Sequence, residues 1–248
     1  TSTTPTTTTT TPPAGSNATA AVPFAASSPF RTAIPAAAAI DPKSAAMVAR
    51  ASRNGQAYAN LIQFAVPIYP ASSSTPKYTL TCTITSWGSC PFNGLQVPIP
   101  NGAVPSPGSD GAMVVISPDS NRIYEFWQAK KSLSQWTTSW GAVNALDGSG
   151  WGGAATGSGA SRLGGVIRVD EIRQGVIPHA LALQIDNACS GTYRAPALKT
   201  DGNSTRSDCI PEGARLRLDP SLNLASLTLT PAERAVAQAL QTYGGYVM

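Results

Sequence analysis

Residues 164–185 read GGVIRVDEIRQGVIPHALALQI, and this stretch holds the only histidine of the chain and its densest run of ionisable residues on an apolar background. The pattern predicts a strand over 166–169, one short helical turn, and a second strand over 177–185. Asp170 is suited to cap the first free amides of the helix, and Gly175 is suited to end it. A short helix between two apolar strands indicates a chain dominated by β-structure.

His179 lies on a defined face of the second predicted strand. Side chains alternate along a strand, so His179 shares its face with Leu181, Leu183 and Ile185, while Gln184 lies on the other side. His179 therefore faces either a core or the floor of a cleft. A lone strand histidine among leucines is more often a hydrogen-bonded core residue than a catalytic base.

The composition is typical of a loop-rich β-protein. Only 12% of the 248 residues are charged, against roughly a quarter in an ordinary globular domain, and the chain contains 22 Gly and 21 Pro. Many short strand patterns lie between Gly/Pro turns, and only two segments have convincing helix signals. We therefore predict an all-β fold, an antiparallel β-sandwich of jelly-roll type with small peripheral helices, over 22–248.

The charge pattern limits the classes of binding partner that the sequence supports. The net charge of +4 comes from 17 basic residues that are thinly scattered, whereas a nucleic-acid-binding protein needs a basic face or stripe. We therefore predict no nucleic-acid partner. No apolar run is long enough to span a membrane. The positive charge is compatible with a polysaccharide or cell-surface glycan as partner.

The four cysteines predict two local disulfides. Four cysteines allow three connectivities, and proximity along the chain favours Cys82 with Cys90 and Cys189 with Cys209. Their spacing and the lack of a nearby histidine argue against zinc. Disulfides indicate an oxidising compartment, so we predict a secreted, extracellular protein. No other metal pattern is recognisable, and no cofactor is predicted.

The two ends of the chain differ in composition from its middle. Residues 1–21 form a Thr/Pro-rich tract without apolar periodicity, which predicts a linker. The alternative is a tract ordered by a neighbouring subunit, which would mean self-assembly. The final residues 245–248 resemble the beginning of an apolar strand, and we expect the domain to be cut short there.

Several elements have local signals of their own. A hairpin is predicted from strands over 112–116 and 122–129 joined by a Pro-Asp-Ser-Asn turn. Residues 136–145 predict one further strand. Thr230, Pro231 and Glu233 form a capping box that predicts a helix.

Four blocks together resemble a family of secreted proteins from actinomycetes and related soil bacteria that is known chiefly as uncharacterised. They are SDGAMVVISPDSNRIYEFWQAKK (109–131), WGGAATGSGASRLGGVIRVDEIRQGVIPHALALQI (151–185), TYRAPALKTDG (192–202) and IPEGARLRL (210–218). The resemblance covers most of the chain after residue 60. It implies a secreted β-rich domain, often beside carbohydrate-active modules, and it implies no catalytic residues.

Glycoside hydrolysis needs two carboxyl groups, one acting as acid and one as base or nucleophile. Glu125 is the first candidate, since it is mid-strand and shares its face with Trp127, a residue suited to sugar stacking. Asp110 precedes the hairpin, and Glu171 flanks the predicted strand of His179. The alternatives are a solvated outward position for Glu125 and a turn-forming role for Asp110.

Elimination of polyuronates needs a base such as His or Tyr and cations that neutralise the carboxylate. His179, Arg168, Tyr193 and Arg194 meet this need if their strands and the 189–209 loop line one concave face. The glycine-rich loop 148–165 carries Trp151, which we predict to face a ligand.

These candidates lead to two hypotheses. The first is a secreted polysaccharide-active enzyme, either a glycoside hydrolase or a polysaccharide lyase, with Glu125 and His179 in a shared cleft. The second is a non-catalytic glycan-binding or cell-surface structural module that uses its aromatic residues as a stacking surface. These aromatics are Trp127, Trp136, Trp140, Trp151 and Tyr193.

Overall fold

The computed structural model describes residues 22–153 and 155–248. The predicted linker and the predicted self-assembly through residues 1–21 lie outside the described residues.

Fourteen short strands and three α-helices make up most of the regular structure in this part of the chain. The strands are β1 (Ile68–Pro70), β2 (Lys77–Tyr78), β3 (Leu80–Cys82), β4 (Val97–Pro98), β5 (Met113–Ser117), β6 (Arg122–Trp127), β7 (Lys130–Ser132), β8 (Gln135–Thr138), β9 (Trp140–Ala145), β10 (Leu181–Leu183), β11 (Ala188–Tyr193), β12 (Ile210–Glu212), β13 (Arg215–Leu216) and β14 (Gly245–Val247). The helices are α1 (Ser44–Ala51), α2 (Val169–Gln174) and α3 (Pro231–Thr242). The prediction of a β-rich fold with few small helices is confirmed.

The largest sheet has four strands in the order β1-β5-β6-β9 and is built on the predicted hairpin. β5 and β6 are antiparallel with Val114 opposite Glu125, and β9 continues the sheet on the far side of β6. Asn121 closes the turn with a φ of 53°, in the left-handed region that Asn tolerates better than most residues. The hairpin prediction is confirmed.

The sheets are mixed, so the prediction of a wholly antiparallel fold is wrong. β1 with β5, β3 with β8, β10 with β14, and β11 with β12 are parallel pairs. The strands lie in five sheets of two to four strands each, which does not confirm a jelly-roll sandwich. The sequence pattern reveals which segments are extended. It does not reveal which strands pair with each other, because these parallel pairs join segments that are distant along the chain.

Residues 136–145 were predicted as one strand and form two. β8 and β9 belong to different sheets and separate at Ser139. The hydroxyl of Thr138 lies 2.7 Å from both Trp127 O and Trp140 O, and the Ser139 N–H donates to Trp127 O at 2.9 Å. These bonds fix the corner at which the chain passes from one sheet to the other.

The stretch 164–185 is less regular than predicted. Residues 166–168 form no strand, and only Leu181–Leu183 of the second predicted strand pairs, in parallel with β14. The Ala180 N–H instead donates to Phe30 O at 2.7 Å, outside any sheet. The short helix α2 does form, and Gly175 ends it with a φ of 71° as predicted.

The central sheet is buried on both faces. One face packs against a cluster that contains Met113, Val115 and Phe126, and the other face packs against a cluster that contains Val114 and Ile123. All five residues of β5 are buried. A sheet covered on both sides explains why this strand is a continuous apolar run rather than an alternating one.

Both predicted disulfides are present. Cys82 bonds Cys90 with 5.5 Å between the Cα atoms, and Cys189 bonds Cys209 with 5.0 Å. Across the described ranges, no helix is both long enough and apolar enough to cross a membrane.

Candidate functional site

Three tryptophans form a stacked cluster beside the central sheet, and one of them is largely exposed. Trp87 is 59% exposed and lies nearly parallel to Trp127, with 5.8 Å between the ring centroids and 11° between the ring planes. Trp140 is buried and meets Trp87 edge-on at 5.7 Å. We call Trp87, Trp127 and Trp140 the tryptophan platform.

The platform is positioned by the sheet and by a disulfide. Trp127 ends β6, Trp140 begins β9, and the two residues are opposite each other in the antiparallel register. Trp87 lies in the loop that Cys82 and Cys90 close. A short closed loop loses less conformational entropy when it is ordered. Trp87 is therefore held over Trp127 at a small entropic cost.

Asp110 connects the platform to the interior. The indole N–H of Trp127 donates to Asp110 Oδ1 at 3.2 Å, and Arg162 Nη1 lies 3.4 Å from Asp110 Oδ2. The backbone of Asp110 accepts from the Gln128 N–H at 2.7 Å. Asp110 therefore fixes the orientation of the Trp127 ring, and Arg162 balances its charge.

Three polar residues that flank Trp127, Trp140 and Cys82 in the sequence bond to one another. Ser139 donates to Gln128 Oε1 at 2.6 Å, and Thr83 donates to Ser139 Oγ at 3.2 Å. These residues adjoin Trp127, Trp140 and Cys82 in the sequence. Amide and hydroxyl groups beside an exposed indole are the groups that bind sugar hydroxyls, and we call Thr83, Gln128 and Ser139 the polar rim.

Glu125 lies inside the protein with no exposed surface. Its carboxylate accepts from the Ser161 hydroxyl, from Asn144 Nδ2 at 2.7 Å and from the Arg162 N–H at 2.7 Å. Burial raises the pKa of Glu125, although these hydrogen bonds oppose the effect. In this conformation Glu125 joins β6 and β9 to the glycine-rich loop, and it has no contact surface for a polysaccharide.

His179 is also buried, at 4% exposure, and it bonds to Glu171. Its Nε2 lies 2.9 Å from Glu171 Oε1, and its Nδ1 lies 2.9 Å from Ala180 O. Both ring nitrogens of His179 are thus within hydrogen-bond distance of an oxygen. Arg168 Nη2 donates to the same Glu171 oxygen at 2.6 Å, and the Arg168 N–H donates to Glu171 Oε2 at 2.8 Å.

The Glu171 carboxylate is stabilised by these donors. Burial alone would raise the pKa of Glu171, but the hydrogen bonds from His179 and Arg168 outweigh burial and hold the pKa below its usual range. Glu171, rather than the predicted Asp170, accepts from the backbone at the start of α2. Asp170 instead pairs with Arg173 on the exposed side.

The spaces beside this cluster are small. The cavity next to His179, between Phe30 and Leu163, has a volume of about 10 Å³, and the one next to Arg168 and Glu171 has about 70 Å³. Cavities that hold small organic ligands have roughly 300 Å³ or more. These spaces hold a few water molecules at most, and Glu125 and His179 share no open cleft.

Trp151 belongs to the core. Its ring stacks on Phe30 with 5.2 Å between centroids and 9° between planes, and it meets Tyr246 edge-on at 5.4 Å. The predicted ligand-facing position of this residue is therefore not what the structure shows. The glycine-rich loop instead places Trp151 between the central sheet and β14.

Tyr193 and Arg194 lie on the exposed side of β11. Tyr193 is 48% exposed, and Arg194 forms a salt bridge with Asp41. Arg168 is instead buried beside Glu171. The sequence-predicted site residues thus fall into five separate groups: Asp110 with Trp127, Glu125 alone, Trp151 against the core, Arg168 with Glu171 and His179, and Tyr193 with Arg194.

The most exposed tryptophan, Trp87, was not among the aromatics singled out from the sequence. The available signal was its position between two cysteines in TCTITSWGSC (81–90), since a bulky aromatic in a short closed loop has no core to enter. Ser161 and Asn144, the partners of Glu125, have no sequence signal because they come from distant segments.

Comparison with known proteins found no matching family model, no matching curated protein and no matching solved structure. The resemblance to a family of secreted actinomycete proteins stays a prediction.

Within the ranges 22–153 and 155–248, no group of three or more His, Cys, Asp or Glu side chains is placed to hold a metal ion.

Proposed function

We propose that this protein is an extracellular, non-catalytic glycan-binding module that uses the tryptophan platform to bind neutral polysaccharides. The observation that carries the proposal is the exposure of Trp87, which is 59% exposed and is stacked on Trp127, with Trp140 edge-on to it. An exposed indole that is held in one orientation by other aromatic rings offers a flat apolar face on which a sugar ring can stack.

The surroundings of the platform support a neutral ligand. The polar rim offers amide and hydroxyl groups, and the carboxylate of Asp110 faces Arg162. Uncharged sugar rings stack on indole through their C–H faces and need only such neutral hydrogen-bonding groups at their edges. The two disulfides support an oxidising, extracellular location.

The enzyme hypothesis receives less support. Glu125 has no exposed surface and three hydrogen-bond donors, while His179 is 4% exposed and bonded at both ring nitrogens. A general acid or base must reach the proton that it transfers, directly or through one water. A binding role for the platform needs neither residue to move.

The test is retention of the purified chain on a panel of neutral and acidic polysaccharides, including glucans, xylan, chitin and polyuronates. We expect retention on one or more neutral polymers, and we expect Trp87→Ala to weaken it at least about tenfold, as truncation of a central tryptophan does at other interfaces. Tyr58→Ala is the matched control, since Tyr58 is 81% exposed and lies outside the platform.

The same incubations separate binding from catalysis. Reducing ends and the absorbance of unsaturated uronates are measured together with retention. Bound protein without product supports the module. Product formation by the wild type would instead establish the enzyme, and equal retention of the wild type and Trp87→Ala would exclude the platform.

A further inference from the structure

Residues 22–53, which we call the N-terminal segment, pack against parts of the chain that are distant in the sequence. Phe30 is 1% exposed, and its ring stacks on Trp151 and meets Tyr246 edge-on at 5.4 Å. The Ala180 N–H donates to Phe30 O at 2.7 Å. These contacts bury a large aromatic side chain and do not depend on the chain that follows the N-terminal segment.

Further contacts hold the N-terminal segment along its length. The Ile34 N–H donates to Thr242 O at 2.9 Å. Met47 is 8% exposed and belongs to a core cluster of its own. Arg50 lies 3.4 Å from the carboxylate of Asp186. The N-terminal segment is therefore fixed from its first aromatic residue to the helix α1.

The chain that follows is exposed, and we call residues 56–62 the exposed loop. Every residue of this loop is exposed, including the large apolar side chains of Tyr58 at 81%, Leu61 at 80% and Ile62 at 72%. No backbone–backbone hydrogen bond joins the exposed loop to any described residue, and the Ile62 N–H instead lies 3.4 Å from Asn60 Oδ1. Its backbone is thus open to another molecule.

The backbone is bonded again on both sides of the exposed loop. The Gly55 N–H donates to Ser52 O at 2.8 Å, and the Gly108 N–H donates to Gln63 O at 2.8 Å. Strand β1 then pairs with β5 of the central sheet. The unbonded stretch is therefore short and lies between two parts of the protein that are each held by their own contacts.

We propose that the exposed loop is a proteolytic processing site, at which an endoprotease specific for large apolar side chains converts the protein into a two-chain form. A bound peptide substrate is extended and offers its backbone groups to the partner, so an unbonded exposed stretch is ready for cleavage, whereas a paired strand must first unfold locally. Hydrolysis adds one water across one peptide bond and leaves a new carboxyl end and a new amino end.

Other exposed apolar residues do not meet both conditions. Leu133 is 96% exposed, but it lies in the turn between β7 and β8, where Ser132 is paired with Gln135. Tyr193 is 48% exposed and belongs to β11, and Trp87 lies in a loop closed by a disulfide. Exposure of a large side chain and an unbonded backbone coincide in the exposed loop.

The test is limited digestion of the full chain with chymotrypsin, whose specificity pocket accepts large apolar side chains. Residues 1–21 contain no large apolar side chain, so the N-terminal tract does not compete. We expect the first cut after Tyr58 or Leu61, which gives a fragment that begins at residue 59 or 62. Amino-terminal sequencing identifies it, and a first cut after Leu133, Trp87 or Tyr193 would overturn the proposal.

A double variant, Tyr58→Ser with Leu61→Ser, should slow the first cut at least about tenfold, because the apolar pocket of the protease loses its occupant. Leu133→Ser is the matched control and should be cut at the rate of the wild type. All three side chains are at least 80% exposed, so the replacements leave the core unchanged. Equal rates in the double variant and the wild type would contradict the site.

The two fragments should stay together after the cut. Both disulfides lie on the far side of the exposed loop, so only the contacts of the N-terminal segment hold the fragments to each other. We expect one peak in gel filtration and two bands on a denaturing gel. The Tm of the cut protein should rise with protein concentration, since unfolding then releases two chains. Separation of the fragments under native conditions would exclude the two-chain form.

Discussion

Trp127 and Asp110 are joined by a hydrogen bond of 3.2 Å from the indole N–H to Oδ1, and the other carboxylate oxygen of Asp110 faces Arg162 at 3.4 Å. The backbone N–H of Arg162 donates to Glu125. A residue on the surface platform is thereby linked through two side chains to a carboxylate in the core. Asp110 acts as a positioning residue for Trp127, on which Trp87 is stacked.

Removal of Asp110 should loosen the platform. In Asp110→Ala the Trp127 N–H loses its acceptor, and we expect glycan affinity to fall about threefold to tenfold, in line with the loss of about one hydrogen bond. Asp170→Ala is the control, since Asp170 lies on α2 and pairs only with exposed Arg173. Retention by affinity electrophoresis checks the result, and equal affinities of the two variants would contradict the positioning role.

Glu125 should be a stability residue. Glu125→Ala leaves Ser161, Asn144 and the Arg162 N–H without their acceptor, and we expect the free energy of unfolding to fall by about 3 kcal/mol or more. Glu125→Gln keeps one acceptor oxygen and should lose about 1 to 2 kcal/mol. Urea denaturation followed by tryptophan fluorescence measures both. Equal losses in the two variants would show that the hydrogen bonds of the carboxylate do not stabilise the fold.

Features that depend on residues close together in the chain were predicted correctly from the sequence. The capping box of Thr230 and Glu233, the hairpin turn that ends at Asn121 and both disulfides depend on residues close together in the chain, and all are present. The helix signal from Thr230 to Thr242 needs no distant partner to be recognisable.

Long-range pairing was not predictable in the same way. The strands around Trp136 and Trp140 belong to different sheets because Thr138 and Ser139 bond to the carbonyl of Trp127, which no pattern within 136–145 reveals. His179 illustrates the same limit for the site. Its alternation with leucines favoured a core position but left a cleft open, and the deciding contact is with Glu171, on a helix rather than a strand.

The pair of Glu171 and His179 should stabilise the fold most strongly at neutral pH. The pKa of Glu171 is held low in the folded state, so its stabilisation is present above the unfolded pKa of about 4.5 and is lost as the pH falls through the folded pKa. His179→Ala should lower the free energy of unfolding by about 1.5 to 3 kcal/mol at neutral pH, because it removes a buried hydrogen-bond partner of the charged Glu171 carboxylate.

Urea denaturation of His179→Ala and the wild type, at neutral pH and at about pH 3, tests this pair. The difference between the two proteins should shrink in acid, since Glu171 is then protonated in more of the folded protein. Arg173→Ala is the control on the same helix, and loss of its exposed pair with Asp170 should cost about 1 kcal/mol or less at either pH. A difference that is independent of pH would mean that His179 acts through packing alone.

Glu212 should give the opposite pH dependence. Its pKa of about 7 in the folded state lies above the ordinary value for glutamate, because burial and the negative charge of Asp201 both raise it, so the folded state keeps a proton that the unfolded state releases. The free energy of unfolding should therefore fall as the pH rises from about 4.5 to 7. Glu212→Gln does not titrate and should lose this slope. Urea denaturation over this pH range measures both proteins, and parallel pH profiles would contradict the prediction.

The two disulfides should affect different properties, although both close a loop. The 189–209 loop is the longer, with a sequence separation of 20 against 8, so in the chain-entropy description its removal should cost about 3 kcal/mol and removal of the shorter loop slightly less. We expect the double variant of Cys189 and Cys209 to serine to have the lower Tm.

Glycan affinity should follow the reverse order. Replacement of Cys82 and Cys90 by serine releases the loop that holds Trp87 against Trp127, so glycan affinity should fall about tenfold. Replacement of Cys189 and Cys209 by serine leaves this loop closed, so glycan affinity should persist in the folded fraction. Retention on polysaccharide, measured on both double variants, checks the prediction. An equal loss of affinity in both variants would contradict it, because a local platform depends only on the loop that carries it.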